Sequence, residues 1–172
     1  MNLSTFTIAA LVLLVSANSN AGDYVCKTIN GVIQPFAADP DCNILRFKDR
    51  HFPDATFLGP LPAEAPPVCF AGSLTATLGK QQLTGTAFSG VIANGVGQLT
   101  AVSAIKLSAG SVELGRIFTK DLIFNPDAAT TEMLTVVAGS KVFKGSHGQF
   151  EITGNITYQT ATLTGQLCIE ND

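Results

Sequence analysis

From Val68 to Ile169 the chain is a succession of seven short runs rich in Thr, Val, Ile, Leu and Phe, with Gly, Asn, Asp or Pro in most of the gaps. The runs are Val68–Leu78, Gln82–Ile92, Val96–Leu107, Ser111–Phe124, Thr131–Ala138, Gly148–Tyr158 and Thr160–Ile169. Branched and aromatic side chains fit the pleated surface of a sheet, and turn formers at this spacing fold each strand back on the last. Several runs alternate with period two. In the sixth, Phe150, Ile152, Ile156 and Tyr158 share one face, while Gln149, Glu151, Thr153, Asn155 and Thr157 share the other. Such a strand has one face in a core and one in water. No window of helical length after the N-terminal segment carries a 3.6-residue apolar pattern. The fold class expected is all-β, an antiparallel meander whose exposed edges disappear if it closes into an up-and-down β-barrel.

Proline divides what precedes this region from the region itself. Pro35, Pro40, Pro53, Pro60, Pro62, Pro66 and Pro67 fall between residues 35 and 67, and only Pro126 lies beyond. Proline cannot donate to a ladder and is kept out of sheet interiors. Residues 22–67 therefore read as a proline-rich N-terminal arm and 68–172 as the barrel. In the arm, Asn30-Gly31 between YVCKTI and VIQPF suits the positive φ angles of a two-residue hairpin turn. Residues 1–21 have no charged side chain, and Phe6–Val15 is an apolar stretch of ten, about half of what a membrane-spanning helix needs. With small residues at Ser19 and Ala21, this segment reads as a signal peptide cleaved before Gly22, although its only positive charge is the terminal amine.

Charge is scarce: 13% of the residues are charged and the net charge is −3. That composition excludes a charge-rich disordered tail and a basic nucleic-acid binder. The four cysteines, Cys26, Cys42, Cys69 and Cys168, are an even set in a chain read as exported, which favours two disulfides and an extracellular or periplasmic location. No cysteine pair has zinc-knuckle spacing, and His51 and His147 lie far apart, so neither a metal nor a cofactor is expected. Cys69 alternates in phase with Ser73, Thr75 and Thr77, and Cys168 with Thr162, Thr164 and Gln166. A cross-strand disulfide needs both Cβ atoms on one side of the sheet, so the preferred pairing is Cys69–Cys168, with Cys26–Cys42 tying down the arm. The first and last strands of a closed meander meet in this way only if the strand number is even, so seven runs call for an eighth strand from the arm or from a short undetected segment.

The strongest local motif follows Leu134-Thr135-Val136-Val137 and runs from Ala138 to Phe150. It resembles the glycine-rich turn of the allene oxide cyclase and dirigent barrel superfamily, with Gly139, Ser140, Phe143, Gly145 and Gly148 at matching positions. Ala138 and Lys141 stand where that family has glycine. Gly110-Ser111-Val112-Glu113-Leu114 also resembles a strand opening of the family, and the likeness covers about the last hundred residues. The resemblance implies an antiparallel barrel of about eight strands that holds an apolar ligand in a shaped cavity. None of the family's acidic, Asn or Arg functional residues can be placed on this chain.

Candidate acids and bases within the strands are Lys106, Glu113, Arg116, Lys120, Asp121, Glu132 and Glu151. Strand alternation places polar residues outward by default, so most are read as outer-face residues, with a cavity acid or base among them left open. Asp39-Pro40-Asp41-Cys42-Asn43 opens like a calcium loop, but Ile44 stands where the sharp turn needs Gly and Arg50 where the bidentate Glu belongs. There is no Gly-x-Ser-x-Gly elbow, His147 reads as an exposed turn residue, and the glycines lead into a strand and so form no phosphate loop. Asn155-Ile156-Thr157 matches a glycosylation sequon. Two functions stay open: a non-catalytic binding or structural module, and a cyclase or isomerase of a small apolar ligand confined in the barrel. The partners left open are that ligand, another protein and further copies of the chain. No nucleic acid and no membrane span in the mature chain are expected.

Overall fold

A computed structural model of the protein describes residues 23–52, 69–95, 98–124, 130–155 and 159–171. Segment 1–21, most of the arm's prolines from Pro53 to Pro67, Pro126, and Ile156, Thr157 and Tyr158 of the sixth run lie outside these residues. The chain is all-β. Its strands are β1 (Tyr24–Ile33), β2 (Ala37–Ala38), β3 (Cys69–Leu78), β4 (Gln81–Gly95), β5 (Gln98–Ala109), β6 (Val112–Phe124), β7 (Thr130–Gly139), β8 (His147–Gly154) and β9 (Ala161–Glu170). The seven sequence runs correspond to β3 through β9. They pair in order, each antiparallel to the next.

The eighth wall strand is β1, which comes from the arm. It lies antiparallel to β9 from Tyr24↔Glu170 to Ile33↔Ala161, and on its other side to β3 from Ile29↔Leu78 to Ile33↔Leu74. The sheet therefore closes into an eight-stranded barrel with β2 as one extra strand. After β1 the arm continues along β3: Gln34 N donates to Ser73 O at 2.9 Å, β2 pairs with Phe70 and Ala71, and Asp39 N donates to Cys69 O at 2.8 Å.

Two expectations are corrected here. Asn30-Gly31 is not a hairpin turn; both residues lie within the continuous strand β1. Gly31 serves close approach instead, because a Cβ there would collide with the Thr75 carbonyl and the Ala76 side chain across the β1–β3 seam. The disulfides are Cys26–Cys168 and Cys42–Cys69, not Cys26–Cys42 and Cys69–Cys168. The reason is the same strand. With β1 inserted between β9 and β3, the residue opposite Cys168 is Cys26, and Cys69 turns to the arm segment that crosses over it. Phase was read correctly for both cysteines, but phase alone does not say which strand is the neighbour.

Inside the barrel, Ile29, Leu74, Leu83, Leu107, Ile117, Phe143, Phe150 and Leu167 belong to one packed apolar cluster. Call the end bearing the Gly79-Lys80 and Gly110-Ser111 turns and residues 140–146 the turn end, and the opposite one the arm end. The glycine-rich segment is structural: a 3-10 turn, Lys141–Phe143, drives the fully buried Phe143 into the interior at the turn end. Ser140 Oγ accepts from Arg116 N at 3.0 Å and Ser140 N donates to Arg116 O at 2.9 Å, which holds this turn on β6. Lys141 takes a φ of +54°, a left-handed backbone that glycine tolerates best. Gly145 and Gly148 also take positive φ. Near the arm end the ring of Phe36 occupies the space that a side chain on Gly72 would fill.

A second, smaller core lies outside the wall. Ile44, Phe47 and Phe52 of the arm pack with Cys42 on Cys69, Phe88, Val102, Ala104 and Phe118. His51 stacks on Phe118 with ring centroids 3.7 Å apart, and the Arg116 guanidinium sits 5.6 Å from the Phe47 ring centroid. Asp39 does not begin a calcium loop. Its carboxylate accepts from Asn43 N at 2.7 Å and from Asn43 Nδ2 at 3.0 Å, capping the turn Asn43–Phe47.

Non-reducing peptide mapping is expected to recover Cys26 joined to Cys168 and Cys42 joined to Cys69. Cys26→Ser with Cys168→Ser releases the seam strand and should lower unfolding stability by about 2–5 kcal/mol in chemical denaturation. Gly31→Val should cost on the order of 1–3 kcal/mol by the same measurement, because the seam cannot widen without losing its ladder bonds.

Candidate functional site

Which charges enter the barrel is decided by two bulges. Along β6 the pairing with β5 runs Lys106↔Arg116 and Leu107↔Gly115, then skips Leu114 to reach Ser108↔Glu113. One extra residue reverses the inward and outward phase beyond it. Glu113 and Asp121 stand at odd positions of one strand, yet they face opposite sides. A second irregularity lies where Phe118↔Ala138 gives way to Thr119↔Val136, leaving Val137 unpaired and exposed. The inward residues are then Ala101, Ser103 and Ile105 on β5, Ile117, Thr119, Asp121 and Ile123 on β6, and Thr130, Glu132, Leu134 and Val136 on β7.

Outside, Glu113 meets Lys141 Nζ at 3.0 Å and Lys106 Nζ at 3.2 Å, with Arg116 at 3.9 Å. The hydrogen bonds from Lys141 and Lys106 hold its carboxyl below the usual range. An exposed cluster of this kind contributes little to stability. Lys120 and Glu151 are exposed on the outer face as well. Five of the seven strand charges thus stand where alternation places them.

Asp121 and Glu132 are the two that turn inward. They are 4% and 3% exposed, on the inner face toward the arm end. In register, Asp121 opposes Leu134 and Ile123 opposes Glu132, so the two acids are diagonal neighbours across the β6–β7 pair. Asp121 lies three residues from the end of β6 and Glu132 two from the start of β7, roughly 7–10 Å from the rim. Ser103 Oγ donates to Asp121 Oδ2 at 2.6 Å. Asp121 Oδ1 and Glu132 Oε2 are buried with no hydrogen-bond partner among the described residues, and the Thr119 hydroxyl lies beside Asp121. Removal from water pushes the Asp121 carboxyl up to about 7, opposed by the Ser103 and Thr119 hydroxyls beside it. Burial raises Glu132 well above the ordinary carboxylate range, and the charge of Asp121 adds to the effect. Near neutral pH the pair therefore retains protons, and one carboxyl can donate while the other accepts.

For Glu132 a signal was present in the sequence, since it shares phase with Leu134 and Val136 on the apolar side of its run. For Asp121 there was none. Its run carries apolar residues in both phases, and only the bulge chooses between them. The four cysteines and the glycine-rich turn hold the wall and one end, and none of them belongs to this site. His147 is exposed and packs edge-on against Tyr24, 4.5 Å between centroids. No group of three or more His, Cys, Asp or Glu converges among the described residues. An open groove of about 470 Å³ crosses the outer face of β5 to β8 over Val102, Leu122, Phe124 and Met133, and Asp121 also contributes to its lining. It lies outside the wall, and the apolar interior belongs to the packed cluster.

A carboxyl whose value is raised by folding stabilises the folded state below its ordinary range and loses that contribution as pH rises. Unfolding stability should therefore fall between about pH 4 and pH 7, by up to about 1.4 kcal/mol per pH unit for each titrating carboxyl. Asp121→Asn with Glu132→Gln removes that slope. Denaturation of both proteins across the range checks it, and parallel pH profiles would show that the pair is not buried.

Comparisons with family models, with curated proteins and with solved structures each returned no match to this chain, so the site is read from its own geometry.

Proposed function

We propose that the chain is an exported, disulfide-clasped barrel that binds a small, largely apolar ligand. The observation that carries this reading is the buried acid pair with unpartnered oxygens. Two buried carboxyls that keep their protons take stability from the fold as pH rises, and apolar residues of similar volume would fill the same wall without that cost. Buried acids with raised values mark a candidate binding or reacting site. Export is supported by the uncharged segment 1–21 and by two disulfides. No helix among the described residues is long and apolar enough to cross a membrane.

A second reading is a cyclase or isomerase of the confined ligand. It is favoured by Asp121, whose value of about 7 suits proton transfer near neutral pH, and by the likeness of residues 138–150 to allene oxide cyclase and dirigent barrels. The acid would then relay a proton within a ligand held still by the wall. Native mass spectrometry of the protein from its own host separates these readings from a purely structural role. A co-purified small molecule is expected, released unchanged by a binding module and as a rearranged isomer by an enzyme. A bare barrel forming an assembly ladder would point to a structural module instead. N-terminal sequencing of the same material should begin at Gly22.

A further inference from the structure

We infer that the outer wall at the turn end docks an acidic polysaccharide, with a uronate carboxylate held by Lys106, Arg116 and Lys141 and the sugar hydroxyls laid over β4 and β3. The inference is independent of the interior acids. The chain has a net charge of −3, yet here three cations gather around the single carboxylate of Glu113, Lys141 Nζ at 3.0 Å, Lys106 Nζ at 3.2 Å and Arg116 Nη1 at 3.9 Å. Register makes that surplus unfavourable to the sheet. Lys106 and Arg116 stand directly opposite each other across the β5–β6 pair, an arrangement of like charges that weakens a sheet. Glu113, turned outward by the bulge at Leu114, balances only one of the three charges. The side chains of Lys106, Arg116 and Lys141 are 41%, 35% and 57% exposed against 28% for Glu113, so what faces solvent is the positive excess. A surface cluster contributes little to stability, and folding does not account for this one. The three side chains already converge on a carboxylate, and hydrogen bonds from Lys141 and Lys106 favour its charged form. An ammonium has three N–H donors and a guanidinium five, more than the two oxygens of Glu113 can occupy, so a second carboxylate arriving from outside finds donors and restores the charge balance.

The surface beside the cations selects the rest of the partner. An open groove of about 180 Å³ is lined by Lys106 itself together with Thr84, Thr86 and Ser108. Thr84 pairs in register with Thr75, and beyond it a second open groove, of about 220 Å³, runs over Asn30, Val32, Thr75, Thr77 and Gln82. The two grooves follow one another around the wall from the cations on β5 across β4 and β3 to β1, three strand spacings or about 14 Å. Hydroxyl and amide side chains both donate and accept, which matches the hydroxyls of a sugar, and the span suits several linked rings better than one small acid. An anionic bilayer would answer the cations but use none of these hydroxyls.

The test is titration calorimetry of the full chain with oligogalacturonate, against its methyl ester and a sulfated dextran of matched charge density, with sedimentation on phosphatidylglycerol vesicles alongside. Oligogalacturonate is expected to bind, more weakly as salt is added, and the methyl ester to bind at least tenfold less tightly. Lys106→Gln with Lys141→Gln should lower the affinity roughly tenfold or more. Thr84→Val with Thr86→Val, which leaves every cation in place, should lower it as well. Absence of binding, equal affinity for the methyl ester, or an unchanged affinity in the lysine variant would each overturn the inference. Tighter binding to the sulfated dextran overturns the carboxylate, and tighter binding to the vesicles or an unaffected threonine variant overturns the saccharide. Should either variant fail to fold, the comparison of acid with methyl ester on the unaltered protein decides alone.

Discussion

The ladder bonds that β1 makes on both sides, along its whole length with β9 and over Ile29–Ile33 with β3, turn a meander of seven strands into a closed wall. An open meander would present two edges, each a row of unpaired backbone donors and acceptors. Closure places Ile29 and Ile33 into the interior beside Leu74 and Leu163 and so completes the core. It also brings Cys26 opposite Cys168 and frees Cys69 for the arm. The two disulfides then hold what the seam began, one at the turn end of the seam and one where the arm crosses the outer wall.

The interior that results is uneven. Large apolar side chains of one cluster fill it from end to end, with Phe143 inserted at the turn end by the 3-10 turn. Toward the arm end Ser103, Thr119, Asp121 and Glu132 bring hydroxyls and two carboxyls into the same enclosure. A low surrounding dielectric makes each unpartnered oxygen there costly and each suitable partner effective. The same physics raises both carboxyls, and it is here that pH bears on the fold. The outer charges around Glu113 are screened by water and contribute little to stability.

Much of the fold was legible because alternation and turn residues report local preference. The seven runs match β3 to β9 within a few residues at each end, and in the sixth run Phe150 and Ile152 are buried while Gln149, Glu151 and Thr153 are exposed. The arm was misread at one point for a specific reason: Asn-Gly is the commonest hairpin signal, but a glycine also serves where another backbone comes too close for a Cβ, and no local pattern separates the two uses. The site was half legible. Glu132 shared the apolar phase of its strand, whereas Asp121 sat in a run that was apolar on both sides.

By itself, the sequence determined that this chain is a disulfide-bonded antiparallel sheet with a neutral, Thr-rich outer coat, because period-two patterning and an even set of cysteines are local or countable properties. Only the tertiary structure decided that the arm supplies the closing strand, which cysteines pair, and which two acids enter the barrel. Those outcomes depend on neighbours far apart along the chain and on bulges that reverse a strand's phase by one residue. Neither leaves a mark in the composition or the spacing, since a residue's side of the wall is set by its partner strand and not by the residue itself.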